Sequence, residues 1–135
     1  MSHPRKPALV FCWEMFGPYH MDRLEAVGRR LGDRFDVVGL EIGSRSHTYA
    51  WEATGEGRHF RKLTLFPGRS KDQIPWPRIY AALLRACLTL RPHTAFLCNY
   101  EDPDICRTDQ PRALLARRRV TRVHCDQGER IVGMR

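Results

Sequence analysis

Hydrophobic positions along the chain alternate between short unbroken apolar runs and longer stretches in which apolar residues recur every three or four positions. The first run, Ala8-Leu9-Val10-Phe11-Cys12-Trp13, predicts a strand buried on both faces, as in a parallel sheet. From His20 to Leu31, the residues Met21, Leu24, Val27, Gly28 and Leu31 form one stripe, with Asp22, Arg23, Glu25, Arg29 and Arg30 outside it. That spacing predicts an amphipathic helix stopped by Gly32. Phe35 to Ile42 predicts a second strand. Gly43 to Arg58 is polar apart from Tyr49, Ala50 and Trp51, and reads as a long loop, of a length that is usually either functional or mobile. Phe60 to Phe66 alternates apolar and polar residues, the pattern of a half-exposed edge strand, with Pro67-Gly68 ending it.

The same alternation continues. Ile79, Leu83, Leu84, Ala86, Cys87 and Leu90 predict a helix from Trp76 to Arg91, opened near Pro75 and Pro77 and stopped by Pro92. Thr94 to Cys98 predicts another buried strand, followed by an acidic turn from Asn99 to Asp104. Pro111 opens a helix over Arg112 to Arg119, and Thr121 to Cys125 is a last, weaker strand. Strands separated by helices imply an α/β, Rossmann-like three-layer domain with a mainly parallel sheet. Residues 1–7, with two prolines and no apolar pattern, read as a disordered leader, so the domain is expected over 8–135.

A chain of 135 residues has room for one such domain. No apolar run approaches the ~20 residues needed to cross a bilayer. The five cysteines (Cys12, Cys87, Cys98, Cys106 and Cys125) contain no C-x-x-C pair, and four lie in or beside apolar segments. That pattern is expected of a reduced, cytoplasmic protein. The net charge of +8 comes from 20 arginines and 3 lysines. Most of the arginines are scattered singly. The exception is the tail from Arg107 to Arg135, where eight arginines face Asp109, Asp126 and Glu129. No aromatic residue for base stacking follows Tyr100, which argues against a specific nucleic-acid partner. The patch suits an anionic ligand, peripheral contact with a membrane-side glycolipid, or a solvated helix end.

In an open α/β sheet, ligand contacts concentrate just after each strand. The segment Trp13-Glu14-Met15-Phe16-Gly17-Pro18-Tyr19-His20 lacks both G-x-G-x-x-G and Gly-Lys-Ser/Thr, so no nucleotide cofactor is indicated. Gly17 would let a ligand approach the backbone beside free N–H groups of the helix start; the alternative is a loop packed by Trp13, Phe16 and Tyr19. His20, at the positive end of a helix, is expected as a neutral ring able to accept a proton, or as a capping or solvent-exposed histidine. In the long loop, Tyr49 and Trp51 among Ser44, Ser46, His47 and Thr48 could stack on a sugar face or simply staple the loop. No nucleophile and base stand at a diagnostic spacing. A metal site from Cys98, Cys106, His124 and Cys125 lacks ligand spacing, so none is expected.

Val10-Phe11-Cys12-Trp13, Phe16-Gly17-Pro18-Tyr19-His20-x-x-Arg23-Leu24, Val37-Val38-Gly39-Leu40-Glu41-Ile42 and Ser44-x-Ser46-x-Thr48-Tyr49-x-Trp51 together resemble the N-terminal half of bacterial group 1 (family 4) glycosyltransferases. The resemblance spans residues 8–130 and implies the acceptor-side Rossmann-like half of a GT-B fold. It implies contact with a sugar acceptor through Gly17, Tyr19 and His20, and more weakly through Tyr49, Trp51 and Tyr100. The family's donor half, with its basic phosphate clamp and E-x7-E signature, does not occur in the sequence. Asn99 also replaces the glycine expected before the aromatic. The implied protein is therefore a truncated or split enzyme with negligible turnover alone, binding a nucleotide-sugar only with a C-terminal domain. An exposed cleft would then favour a missing partner domain or self-association. The competing reading is a stand-alone flavodoxin-like α/β binding or regulatory domain. A receiver domain is disfavoured because a single acid, Glu14, follows the first strand.

Overall fold

The computed structural model describes residues 5–48 and 50–96, and the backbone of 97 and 121–124. Among the described residues five strands form one parallel sheet: β1 (Ala8–Trp13), β2 (Asp36–Arg45), β3 (Arg61–Ser70), β4 (Pro92–Leu97) and β5 (Thr121–His124). Helix α1 (Pro18–Leu31) connects β1 to β2, and α2 (Trp76–Leu90) lies between β3 and β4. The strand order is β3-β2-β1-β4-β5, so the order reverses between β1 and β4. This is a small Rossmann-like α/β fold.

The two-residue period of the strands sorts the core into two layers. Val10 and Cys12 of β1 and Val38, Leu40 and Ile42 of β2 pack with Ile79, Leu83 and Leu90 of α2. The alternate residues, Phe11, Trp13 and Val37, pack with Phe16 and with Met21, Leu24 and Val27 of α1. Unbroken apolarity in β1 therefore reflects cover on both sides. Among the described residues no helix is long and apolar enough to cross a membrane.

Element limits depart from the sequence pattern where proline acts. The α1 helix begins at Pro18 rather than His20, because proline at the first helical position brings a suitable φ and gives up an N–H that would have had no partner there. β3 does not stop at Pro67-Gly68 but runs on to Ser70 through an irregularity: Gly43 pairs with Phe66 and Arg45 with Ser70. The extra residues on β3 include Pro67, which has no donor, and Gly68, whose φ of 76° only glycine adopts readily. Ser44 Oγ accepts the Gly68 N–H at 2.6 Å and pins the irregularity. The helix expected over 112–119 lies outside the described residues.

Arg91 closes α2 in the left-handed region, with φ 48° and ψ 60°, and its N–H donates to the Cys87 carbonyl at 2.8 Å. A side chain in that conformation costs roughly 1 kcal/mol that glycine avoids. Arg91→Gly is expected to stabilise the fold by about 0.5–1 kcal/mol, seen as a higher urea midpoint with an unchanged slope.

Candidate functional site

Parallel sheets of this kind tend to bind ligands beyond the carboxyl ends of the strands where the order reverses, and that reversal falls here between β1 and β4. Its β1 side consists of the turn Glu14–Gly17, the start of α1 and the loop between β2 and β3.

The turn is fastened to β2. Glu14 O accepts the N–H groups of Ile42 and Gly43, both at 3.1 Å, and Phe16 N–H donates to Glu41 Oε2 at 2.9 Å. The Phe16 ring lies over Gly39, where a Cβ would stand 2.7 Å from Phe16 Cε2 and from Leu24 Cδ1. Only glycine leaves room for both.

Glu41 shares the α1 face with Val37 and Gly39, and it is 1% exposed. The β2–β3 register sets Lys62 beside Gly39 and Thr64 beside Glu41, on the same face. Thr64 Oγ1 donates to Glu41 Oε1 at 2.6 Å, and Lys62 Nζ lies 3.1 Å from the same oxygen. Lys62, with 5% side-chain exposure, also donates to the carbonyl and hydroxyl oxygens of Thr54 at 2.6 and 2.9 Å. One buried ion pair therefore ties the turn after β1, the edge strand β3 and the long loop together.

That loop delivers Trp51 onto Gly17, where any Cβ would collide with the indole. The close approach that glycine permits is thus made by Trp51. Much of the helix start is occupied: Gly17 N–H donates to His20 Nδ1 at 3.0 Å, Pro18 has no N–H, and His20 and Met21 donate to the Gly17 carbonyl at 3.1 and 3.3 Å. Of the N–H groups expected to face a ligand, those of Gly17, His20 and Met21 are engaged within the turn, and that of Tyr19 is not among these bonds. Packing of the turn by Trp13, Phe16 and Tyr19 is the alternative the structure displays.

His20 is a capping residue, buried rather than exposed. Its ring lies 4.0 Å from Tyr19, 4.8 Å from Trp13, 6.2 Å from Phe16 and 6.3 Å from Trp51, centroid to centroid. Accepting at Nδ1 leaves the ring proton on Nε2. Burial, reinforced by Arg23, lowers its pKa to about 4. The neutral ring expected from the sequence is therefore present, with burial as the main cause. Tyr19 is 48% exposed, meets Trp51 edge-to-face at 6.1 Å, and carries the Arg23 guanidinium 5.0 Å from its ring centre.

The structure thus brings Gly17, Tyr19, His20 and Trp51 together, whereas Tyr49 and Tyr100 lie outside the described residues. Ser44, expected in the loop, belongs to β2 and serves Gly68. Glu41 and Lys62 are the residues that sequence reasoning passed over. A lone carboxylate inside an apolar strand was the available signal. Cys12 is no nucleophile, since burial, with a smaller effect of Cys87, pushes its thiol up to about 12. Among the described residues no group of His, Cys, Asp and Glu could hold a metal; Cys98, Cys106 and Cys125 lie outside them. Searches against protein-family models, curated proteins and solved structures find no match.

Two outcomes follow from these contacts. Lys62→Met, which leaves Glu41 buried without its cation, is expected to cost about 3 kcal/mol in urea unfolding. The Lys62→Met/Glu41→Gln double variant should recover much of that loss, a non-additivity read by a double-mutant cycle. For His20, the unfolded chain takes up a proton near pH 6.5 and the folded chain only near 4. Stability is therefore full above 6.5 and falls as the pH drops from 6.5 to 4, by at most about 3 kcal/mol. His20→Gln should remove that part of the stability–pH profile.

Proposed function

We propose that the chain is the acceptor-side domain of a GT-B glycosyltransferase, with the sugar acceptor resting on Tyr19 and Trp51 beside the strand reversal. One observation carries this reading: an aromatic pair, Tyr19 half-exposed and Trp51 partly buried against Gly17, stands beside a neutral histidine at the carboxyl end of β1 in a parallel sheet ordered β3-β2-β1-β4-β5. Aromatic rings stack on the apolar faces of sugars. The acceptor contact runs through these rings and not through the backbone of Gly17, which Trp51 covers. Donor binding belongs to the family's other half, so a nucleotide-sugar is a ligand only in the presence of a C-terminal domain. The reading includes a reducing, cytoplasmic setting, in keeping with the free thiols of Cys12 and Cys87.

A second reading, the stand-alone α/β binding or regulatory domain, is favoured by the packing of the turn, in which Gly17 N–H and the Gly17 carbonyl are both satisfied internally.

Titration of tryptophan fluorescence with methyl glycosides distinguishes the two. Acceptor contact predicts saturable quenching that weakens about tenfold in Tyr19→Ala and in Trp51→Ala, the loss of one stacking ring. Absence of binding, or binding indifferent to both substitutions, overturns the acceptor reading and leaves the stand-alone domain. The purified 135-residue chain is further expected to transfer no sugar from a nucleotide-sugar. Measurable transfer would sink the half-enzyme assignment.

A further inference from the structure

At the opposite end of the sheet, where the strands begin, lies a widely open surface pocket of about 590 Å³. That volume is in the range of small-molecule sites. Arg5, Lys6, Arg58 and Arg61 line it together with His59, and Asp36 is the single acid among the lining residues. Three positive charges therefore remain after Asp36 is set against one of them. Phe35 and Phe60 supply aromatic lining.

The cations are of two kinds. Arg61 is held by Asp36, with Nε 3.1 Å from Oδ1 and Nη2 bonded to Oδ2, and Lys6 Nζ donates to the Gly32 carbonyl at the end of α1 at 2.6 Å. The guanidinium groups of Arg5 and Arg58 have no carboxylate partner among the described residues. The backbone beneath Arg58 is nonetheless fixed: Glu25 of α1 accepts the N–H groups of Arg58 and His59 and bonds His59 Nδ1 at 2.7 Å. Gly28 on the same helix face approaches the His59 carbonyl so closely that a Cβ would collide with it. A carboxylate behind the wall thus anchors the segment that presents Arg58, and guanidinium forks such as those of Arg5 and Arg58 are of the type that clasps phosphate oxygens in pairs.

We infer that this amino-end cavity binds a small phosphate-bearing ligand, its phosphate or diphosphate group held by Arg5 and Arg58 with Lys6 and Arg61 flanking. The inference is independent of the acceptor reading, which concerns the other end of the sheet.

Calorimetric titration of the full chain with sodium pyrophosphate at low salt is the direct test. Saturable binding is expected, weakening as salt rises and falling about tenfold in Arg58→Ala and in Arg5→Ala. Both side chains are solvent-exposed, so the melting temperature should not move. Arg117→Ala/Arg118→Ala, in the arginine-rich tail, should leave the affinity unchanged. Absence of binding, or binding lost with the tail substitutions and not with Arg58→Ala, overturns the inference. A second arm separates free from lipid-borne phosphate. Sedimentation with phosphatidic acid vesicles that pyrophosphate reverses assigns the site to a headgroup; pyrophosphate binding without sedimentation assigns it to a soluble ligand. Sedimentation that pyrophosphate leaves intact and Arg58→Ala does not weaken counts against a lipid occupant of this cavity.

Discussion

A carboxylate shut away from water must find donors inside the protein, and Glu41 finds them in segments far apart in the sequence. Phe16 offers a backbone N–H, Thr64 a hydroxyl and Lys62 an ammonium. Desolvating two ions costs several kcal/mol each, and an apolar pair of similar size is often no less stable. What an ion pair supplies and an apolar pair does not is direction. The bonds fix the turn after β1 against β2, β3 against both, and the long loop through Thr54. Displacement of any one of these segments would take at least one hydrogen-bond partner from the buried pair.

The packing of the turn after β1 follows from that fastening. With the turn pulled down by Glu41 and the loop held by Lys62, Trp51 reaches Gly17 and the aromatic rings surround His20. The histidine then has two reasons to stay neutral: it is desolvated, and Arg23 repels the charged form. Neutrality is also what its structural role demands, because only an unprotonated Nδ1 can accept the Gly17 N–H. Burial and Arg23 thus keep the ring in the form that the cap requires. The aromatic surface left outward, with Tyr19 half-exposed, is a consequence of packing that a sugar acceptor could use without any backbone donor.

The legible parts of the sequence were those governed by local pattern. β1 occupies Ala8–Trp13 as its unbroken apolarity requires, and α2 ends within one residue of the expected limit. The illegible parts depended on partners. Lys62 stands in an alternating strand at the sheet edge, and a two-residue period does not say which face the rest of the chain will cover. The α1 face is covered there, so an apparently solvent-facing lysine is buried. Trp51 was recognisable as a loop anchor, but its target on Gly17 depends on the β2–β3 register and on a buried carboxylate. The engagement of Gly17 N–H within the turn was not legible, because it depends on His20 sitting at the third helical position, where a side chain can turn back to the cap. Tyr49, Tyr100 and the arginine-rich tail lie outside the described residues, so their roles rest on sequence alone.

Charge shows the same contrast between pattern and topology. Along the chain the tail holds the visible cluster of arginines, while Arg5, Arg58 and Arg61 look like scattered surface charges. Parallel strands all start at one end of the sheet, however, so residues preceding β1, β2 and β3 are drawn together however far apart they are in sequence. Arg5 and Lys6 precede β1, Phe35 precedes β2 and Asp36 opens it, and Arg58 and His59 precede β3 while Arg61 opens it. A basic cavity arises from that convergence. Like charges so gathered repel unless something opposes them, and the opposing groups are present: Asp36 beside Arg61, the α1 carboxyl end beside Lys6, and Glu25 behind Arg58 and His59. Those partners reduce the repulsion without exhausting the charge, which is the electrostatic condition for a site that receives an anion from solution.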